Sequence, residues 1–277
     1  MLNEIRAENL KADKYSMLNG VFPVDEIFPP EIVSEIEKIR SNEIDNLIIH
    51  GLPICDNLPP TPKEIRNVPE NIFPGYILKS IGNFLGTISD KNLENTVRFR
   101  NADEKIVNEE TWHGHPQYKY SVFYCLRADR NAKTYFFSAN YTVKNAPPEI
   151  ARSLTEPFSY LSNKKPFSLL QKGPRGYEIS IDIYDRSDFE KYIKDLDLPD
   201  VVKALKKIDA SDFNNREAKG AVTYLLKVIE DTSQCIVYEP GDIALYNETS
   251  TMRFSPAYEP STSPDEDRWI LSLSVDK

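Results

Sequence analysis

The sequence predicts a mixed α+β domain built around a β core. Two observations carry that class. Short runs dense in β-branched and aromatic residues lie early, at Leu47 to His50, and late, at Ile236 to Tyr238, Ile243 to Leu245 and Ile270 to Leu273. Between and before them stand stretches whose apolar residues recur at helical spacing. No internal repeat and no break in composition divides the 277 residues. One domain over residues 1–277 is therefore expected, with a helical insert at roughly 187–231.

In chain order, the residues up to about Met17 are polar and read as a loose arm or an edge segment. Pro29-Pro30 opens a helix with Ile32, Val33, Ile36 and Ile39 on one face. Proline is tolerated there because the first N–H groups of a helix have no intrahelical partner. Leu47-Ile48-Ile49-His50 ends at Gly51 and reads as a buried strand, with His50 a satisfied strand-end residue. Pro53 to Pro62 is too rich in proline for a helix interior and reads as an extended surface loop. Tyr76, Ile77, Ile81, Phe84 and Leu85 define a second amphipathic helix, closed by Gly86 in the C-terminal glycine role. Strands are expected around Val97 and Phe99 and over Lys133 to Ser138, and a proline-started helix at Pro147-Pro148. Tyr177 to Tyr184 alternates, with Ile179, Ile181 and Ile183 on one side and Ser180, Asp182 and Tyr184 on the other. Glu217 to Ile229 is the strongest helical segment after Ser187, and Glu239-Pro-Gly-Asp242 is a tight turn.

Composition excludes several classes of function. A formal net charge of −9 argues against a nucleic-acid or anionic-membrane surface, since phosphate binding wants an excess of Lys and Arg. No apolar run approaches membrane-spanning length, and Met1 to Asn9 lacks the apolar stretch of a signal peptide. Cys55, Cys125 and Cys235 are scattered, without C-x-x-C spacing, and fit buried thiols in a reducing cytoplasm. The expectation is a cytoplasmic protein acting on a small molecule.

The chemistry converges on Glu110 to Arg127, which holds His113 and His115, two of the 3 histidines. They precede Tyr118, Tyr120, Val122, Tyr124 and Leu126, an alternating strand pattern. Residues i and i+2 of a strand share a face, so the two imidazoles could aim into one cavity. Imidazole is the commonest metal ligand and suits proton transfer near neutrality. Two histidines alone do not complete a site, and loop-capping or core hydrogen bonding is the plainer alternative.

Read together, several segments resemble the clavaminate-synthase-like, taurine-dioxygenase superfamily of iron(II)/2-oxoglutarate oxygenases. They are Gly51 to Pro62, Trp112-His113, Cys125-Leu-Arg127, Lys133-Thr134, Pro240-Gly-Asp-Ile-Ala-Leu-Tyr-Asn247, Ser255-Pro256 and Asp267-Arg-Trp269, in family order across most of the chain. The resemblance implies a double-stranded β-helix, a jelly-roll core braced by helices. It implies Fe(II) held by two histidines and a carboxylate, leaving positions open for 2-oxoglutarate and dioxygen. It places His113 as first metal ligand, Arg268 as partner of the far carboxylate of 2-oxoglutarate, and Thr134 as a co-substrate contact. Asp182 lies where related amino-acid oxygenases place an acid towards the substrate, and Tyr184 shares its face.

Two ligand positions differ from the family. His115 stands where an acid is expected, and Met252, followed by Arg253 and Phe254, stands where the distal histidine is expected. A thioether is a soft donor, poorly matched to iron(II) in an oxygen site. Three readings follow. The first is an oxygenase-like protein acting on an amino acid or a derivative, its metal held by His113, His115 and Met252, a carboxylate such as Glu248, or water. The second is a non-catalytic member binding a small molecule or a partner chain. The third is a metal enzyme using the His-x-His pair without 2-oxoglutarate. The sequence assigns no catalytic acid or base.

Overall fold

The computed structural model describes residues 2–7, 20–55, 58–62, 72–89, 94–96, 110–113, 118–157, 168–173, 176–179, 216–229, 235–261, 263 and 266–276. Alternation along β5 (Tyr118–Arg127) sets the layers. Tyr120, Val122, Tyr124 and Leu126 enter one apolar cluster, while Phe123 and Cys125 enter another on the opposite face. Period-two patterning has become a two-sided sheet strand, buried on both faces.

That strand lies within a six-stranded sheet. Its order is β1 (Glu4–Arg6), β2 (Asn46–His50), β10 (Ile243–Asn247), β5, β12 (Trp269–Asp276) and β3 (Glu94–Thr96). Only β1 against β2 is parallel, Glu4 opposite Ile48; every other neighbour in this sheet is antiparallel. The second sheet runs β4 (Glu110–His113), β11 (Thr251–Ser255), β6 (Lys133–Ser138), β9 (Cys235–Val237), all antiparallel. A separate hairpin pairs β7 (Leu170–Gly173) with β8 (Gly176–Ile179).

Helices α1 (Val24–Ile27), α2 (Pro30–Arg40) and α3 (Phe73–Leu85) cover one face of the first sheet. In α2, Pro30 occupies the first turn, Glu31 follows it, and Lys38 and Arg40 close the last turn, a charge order that suits the helix dipole. Ile32, Ile36 and Ile39 are fully buried against Tyr120, Leu47 and Leu245 of the same cluster. Helix α3 comes very close to β12. A Cβ on Gly82 would lie 2.4 Å from Leu273 Cδ2, so any larger residue there would have to displace that side chain. Helices α4 (Ala139–Asn145), α5 (Pro148–Thr155) and α6 (Arg216–Ile229) bury Val143, Leu154, Ala221, Val222 and Leu225 with Phe137, on the outer face of the second sheet. Between the sheets, Ile48, Cys125, Ala244, Tyr246 and Ile270 meet Phe136, Ile236 and Tyr238.

Most expected elements stand within a few residues of their predicted places. The polar N-terminal segment contributes β1, the outermost strand of its sheet. Helix α3 begins at Phe73, with Pro74 in its first turn, three residues before the predicted start at Tyr76. Gly86 follows it in extended backbone, φ 164°, and not the left-handed cap expected, because the chain runs straight on to pair Ile88 with Val275. The strand expected around Val97 and Phe99 is described only as Glu94–Thr96, and residues 97–100 lie outside the described residues. So do the second half of the Tyr177–Tyr184 alternation and the predicted insert before Arg216.

Candidate functional site

The layer between the sheets contains charge. Along β11, Thr251, Arg253 and Ser255 are buried and alternate with Met252 and Phe254. The two faces of this strand have different company. Met252 packs with the Phe137 cluster on the helix side. Arg253 points the other way, its guanidinium 4.8 Å from the Phe123 ring and 4.9 Å from the Tyr246 ring. Its Nη1 approaches Glu248 Oε1 at 3.1 Å, and both side chains are almost wholly buried. That pair is electrostatic and not an aligned hydrogen bond, because Nη1 has no hydrogen-bond acceptor among the described residues. In the backbone register, Arg253 is the partner of His113.

Tyr246 comes from β10 and stacks on Phe136 of β6, with ring centroids 5.2 Å apart. Its hydroxyl is hydrogen-bonded to that of Tyr238, which follows β9. Burial pushes the Tyr238 phenol up to about 12, although the bond to Tyr246 and the Arg268 and Arg253 cations pull it back. Burial also drives Tyr246 well above the ordinary phenol range. Both rings are therefore neutral hydroxyls at physiological pH. Burial raises the Cys125 thiol to about 12, against the lowering influence of Arg268, so this cysteine is an inert core thiol and not a nucleophile.

Arg268 immediately precedes β12. It is buried, 9% exposed, with its guanidinium 5.4 Å from the Tyr238 ring. No carboxylate among the described residues forms an ion pair with it; neighbouring Glu266 is exposed and accepts from Ser263. Its backbone is fixed by the proline-rich loop. Arg127 donates to the Leu58 and Pro59 carbonyls and to Thr61 Oγ1, and that hydroxyl donates to the Asp267 carbonyl at 2.7 Å. The segment read as an extended loop thus braces the residue that carries Arg268. Thr134 is buried on β6 with its Oγ1 3.4 Å from Ser255 Oγ.

Of the residues singled out in the sequence, Arg268, Thr134 and Glu248 are buried between or beside the sheets, and Met252 lies on the outer face of β11. The backbone of His113 ends β4, while His115, Asp182 and Tyr184 lie outside the described residues. Among the described residues no group of three His, Cys, Asp or Glu side chains could hold a metal ion. His50 is satisfied at its strand end, as expected, with Nδ1 2.9 Å from Asp242 Oδ1. Sequence reasoning passed over Arg253, Tyr238 and Tyr246. The signal was present for Arg253, since period-two reading from Ser255 puts Arg253 on its face and Met252 on the other.

No family model matches the sequence, and comparison with curated proteins finds no match. Solved structures do match. A structure of the non-haem iron oxygenase OrfP aligns with TM-score 0.64 and 14% identity over 99% of this chain and 94% of its own. A structure of asparagine oxygenase aligns with TM-score 0.63 and 14% identity over 99% and 92%. OrfP in complex with Fe and α-ketoglutaric acid gives 0.62 and 16% over 100% and 94%. At such identities the likeness is one of fold.

Proposed function

We propose that this chain, on the fold it shares with asparagine oxygenase and OrfP, is an oxygenase-like protein. In this reading it binds a 2-oxoglutarate-type keto dicarboxylate through Arg268 and acts on an amino acid or a compound derived from one. The sheet orders support a double-stranded β-helix. Strands β3, β12, β5 and β10 face β4, β11, β6 and β9, all antiparallel. The substrate class draws on the neighbours, whose structures hold L-Arg in OrfP and 3-hydroxyasparagine with succinate in asparagine oxygenase.

Arg268 is the observation that carries this reading. A guanidinium that is nine-tenths buried and has no carboxylate partner among the described residues is expensive to keep out of water. A ligand carboxylate bound as a bidentate fork offsets that cost, and arginine presents the right planar donors. Thr134 and Ser255 add hydroxyls on the inner face of the second sheet. The residues present fit the dicarboxylate.

They fit iron(II) less well. Bound iron would supply oxygen activation, but the Glu248 carboxylate faces Arg253, and Arg253 stands at the register position of His113. The described residues supply no group of three metal-ligating side chains, and the second reading is a protein of this fold that binds its ligand without oxidising it.

Thermal denaturation tests the shared part of both readings. 2-Oxoglutarate at a hundredfold excess over its dissociation constant should stabilise the wild type by about 2.7 kcal/mol. Arg268→Ala should abolish that shift, and an unchanged shift would remove Arg268 from the site. Mass spectrometry of amino acids incubated with the protein, 2-oxoglutarate, iron(II) and air then separates the two. An added oxygen atom indicates the oxygenase; stabilisation without product indicates the binder.

A further inference from the structure

Two buried guanidinium groups flank one hydrogen-bonded tyrosine pair. Arg268 lies over Tyr238 at 5.4 Å and Arg253 over Tyr246 at 4.9 Å. Neither has its donors filled. Arg268 has no carboxylate partner among the described residues, and Arg253 Nη1, in a side chain only 7% exposed, has no hydrogen-bond acceptor. Buried arginine donors are almost always used. Glu248 balances the charge of Arg253 without taking that donor.

We propose that Arg253 is a second carboxylate-binding residue of this site, so that a dicarboxylate anchored on Arg268 is held at its other end by Arg253 and needs no divalent ion. The proposal rests on the reading of Arg268 given above. Each ring of one hydrogen-bonded tyrosine pair carries a guanidinium within about 5.4 Å, and a ligand with two anionic ends would engage both. Arg253 offers the second end its unfilled Nη1 donor, while Glu248 balances the guanidinium charge. Ser255, two residues along β11 on the same face, adds a hydroxyl beside that of Thr134.

Calorimetric titration of the full chain with 2-oxoglutarate tests this in two buffers, one with EDTA and one with saturating Mn(II). The comparison ligand is 4-oxopentanoate, which keeps the carboxylate assigned to Arg268 and the ketone but lacks the carboxylate assigned to Arg253. Wild type should bind 2-oxoglutarate in EDTA, with an affinity within about threefold of that in Mn(II). It should prefer 2-oxoglutarate to 4-oxopentanoate by roughly 10- to 100-fold, the worth of a charge-assisted contact. The double variant Arg253→Met with Glu248→Gln removes both charges together and should lose that preference. If it does not fold, Arg253→Lys, which keeps the charge but not the fork, should weaken 2-oxoglutarate about tenfold. Binding that appears only with Mn(II), or Arg253 variants that bind like wild type, would overturn the proposal. Absence of binding in both buffers, or an Arg268→Met variant that binds normally, would instead overturn the reading of Arg268, and the inference with it.

Discussion

Asp45 sits at the end of the α2–β2 connection with 4% exposure, and its carboxylate is fully occupied. Ser138 and Ser250 donate their hydroxyls to it, and Asn140 donates Nδ2 at 2.6 Å. Its backbone carbonyl takes the Asn247 N–H and the Thr251 hydroxyl. One side chain therefore ties the first sheet to the β6–α4 junction and to the turn between β10 and β11. Removing it leaves several buried donors without acceptors, so Asp45→Ala should cost about 3–5 kcal/mol in chemical denaturation, with Asp45→Asn intermediate. Nothing in the sequence marks this residue, because its partners are 93, 95 and 205 positions away. Arg268 and Thr134 were legible because short motifs surround them. Arg253 was hidden by an alignment that gave the distal position to its neighbour Met252.

The turn from Glu239 to Asp242 shows what local chemistry makes legible. Gly241 has φ +91°, and a Cβ there would fall 2.1 Å from the Leu52 carbonyl oxygen. Gly241→Ala combines left-handed strain with a backbone collision and should cost roughly 3 kcal/mol or more, read as a lowered denaturation midpoint. A midpoint within error of wild type would mean that the Leu52 loop can shift. Proline starts, amphipathic faces and alternation likewise placed α2, α3, α5, β5 and β6. Strand β11 was harder. Thr-Met-Arg-Phe-Ser carries a charge at its centre, and it is buried only because Glu248 and two rings from the facing sheet receive that charge. The propensity of a five-residue segment cannot report partners that the fold brings to it.

At the scale of the molecule, the inner layer makes stability depend on alkaline pH. The fold holds the Cys125 and Tyr238 protons up to about 12, and that of Tyr246 well above the phenol range. The unfolded chain releases them nearer the ordinary thiol and phenol values. Between those limits the folded state binds more protons, so its stability falls as pH rises. Each group adds a slope of about 1.4 kcal/mol per pH unit. Urea midpoints measured from about pH 8 to about pH 11 should fall accordingly, less steeply in Tyr238→Phe. A flat profile would show that these groups are not sequestered.

The sheet order has one more consequence. Strand β12 is interior, hydrogen-bonded to β5 on one side and β3 on the other. During synthesis β5 must wait for a neighbour about 150 residues downstream, since strand pairing cannot outrun the ribosome. Until Asp276 has left the exit tunnel, both edges of β5 depend on partners that arrive late. The nascent chain thus carries an unsatisfied apolar strand through much of its production, and it is in that interval that a chaperone would protect it most.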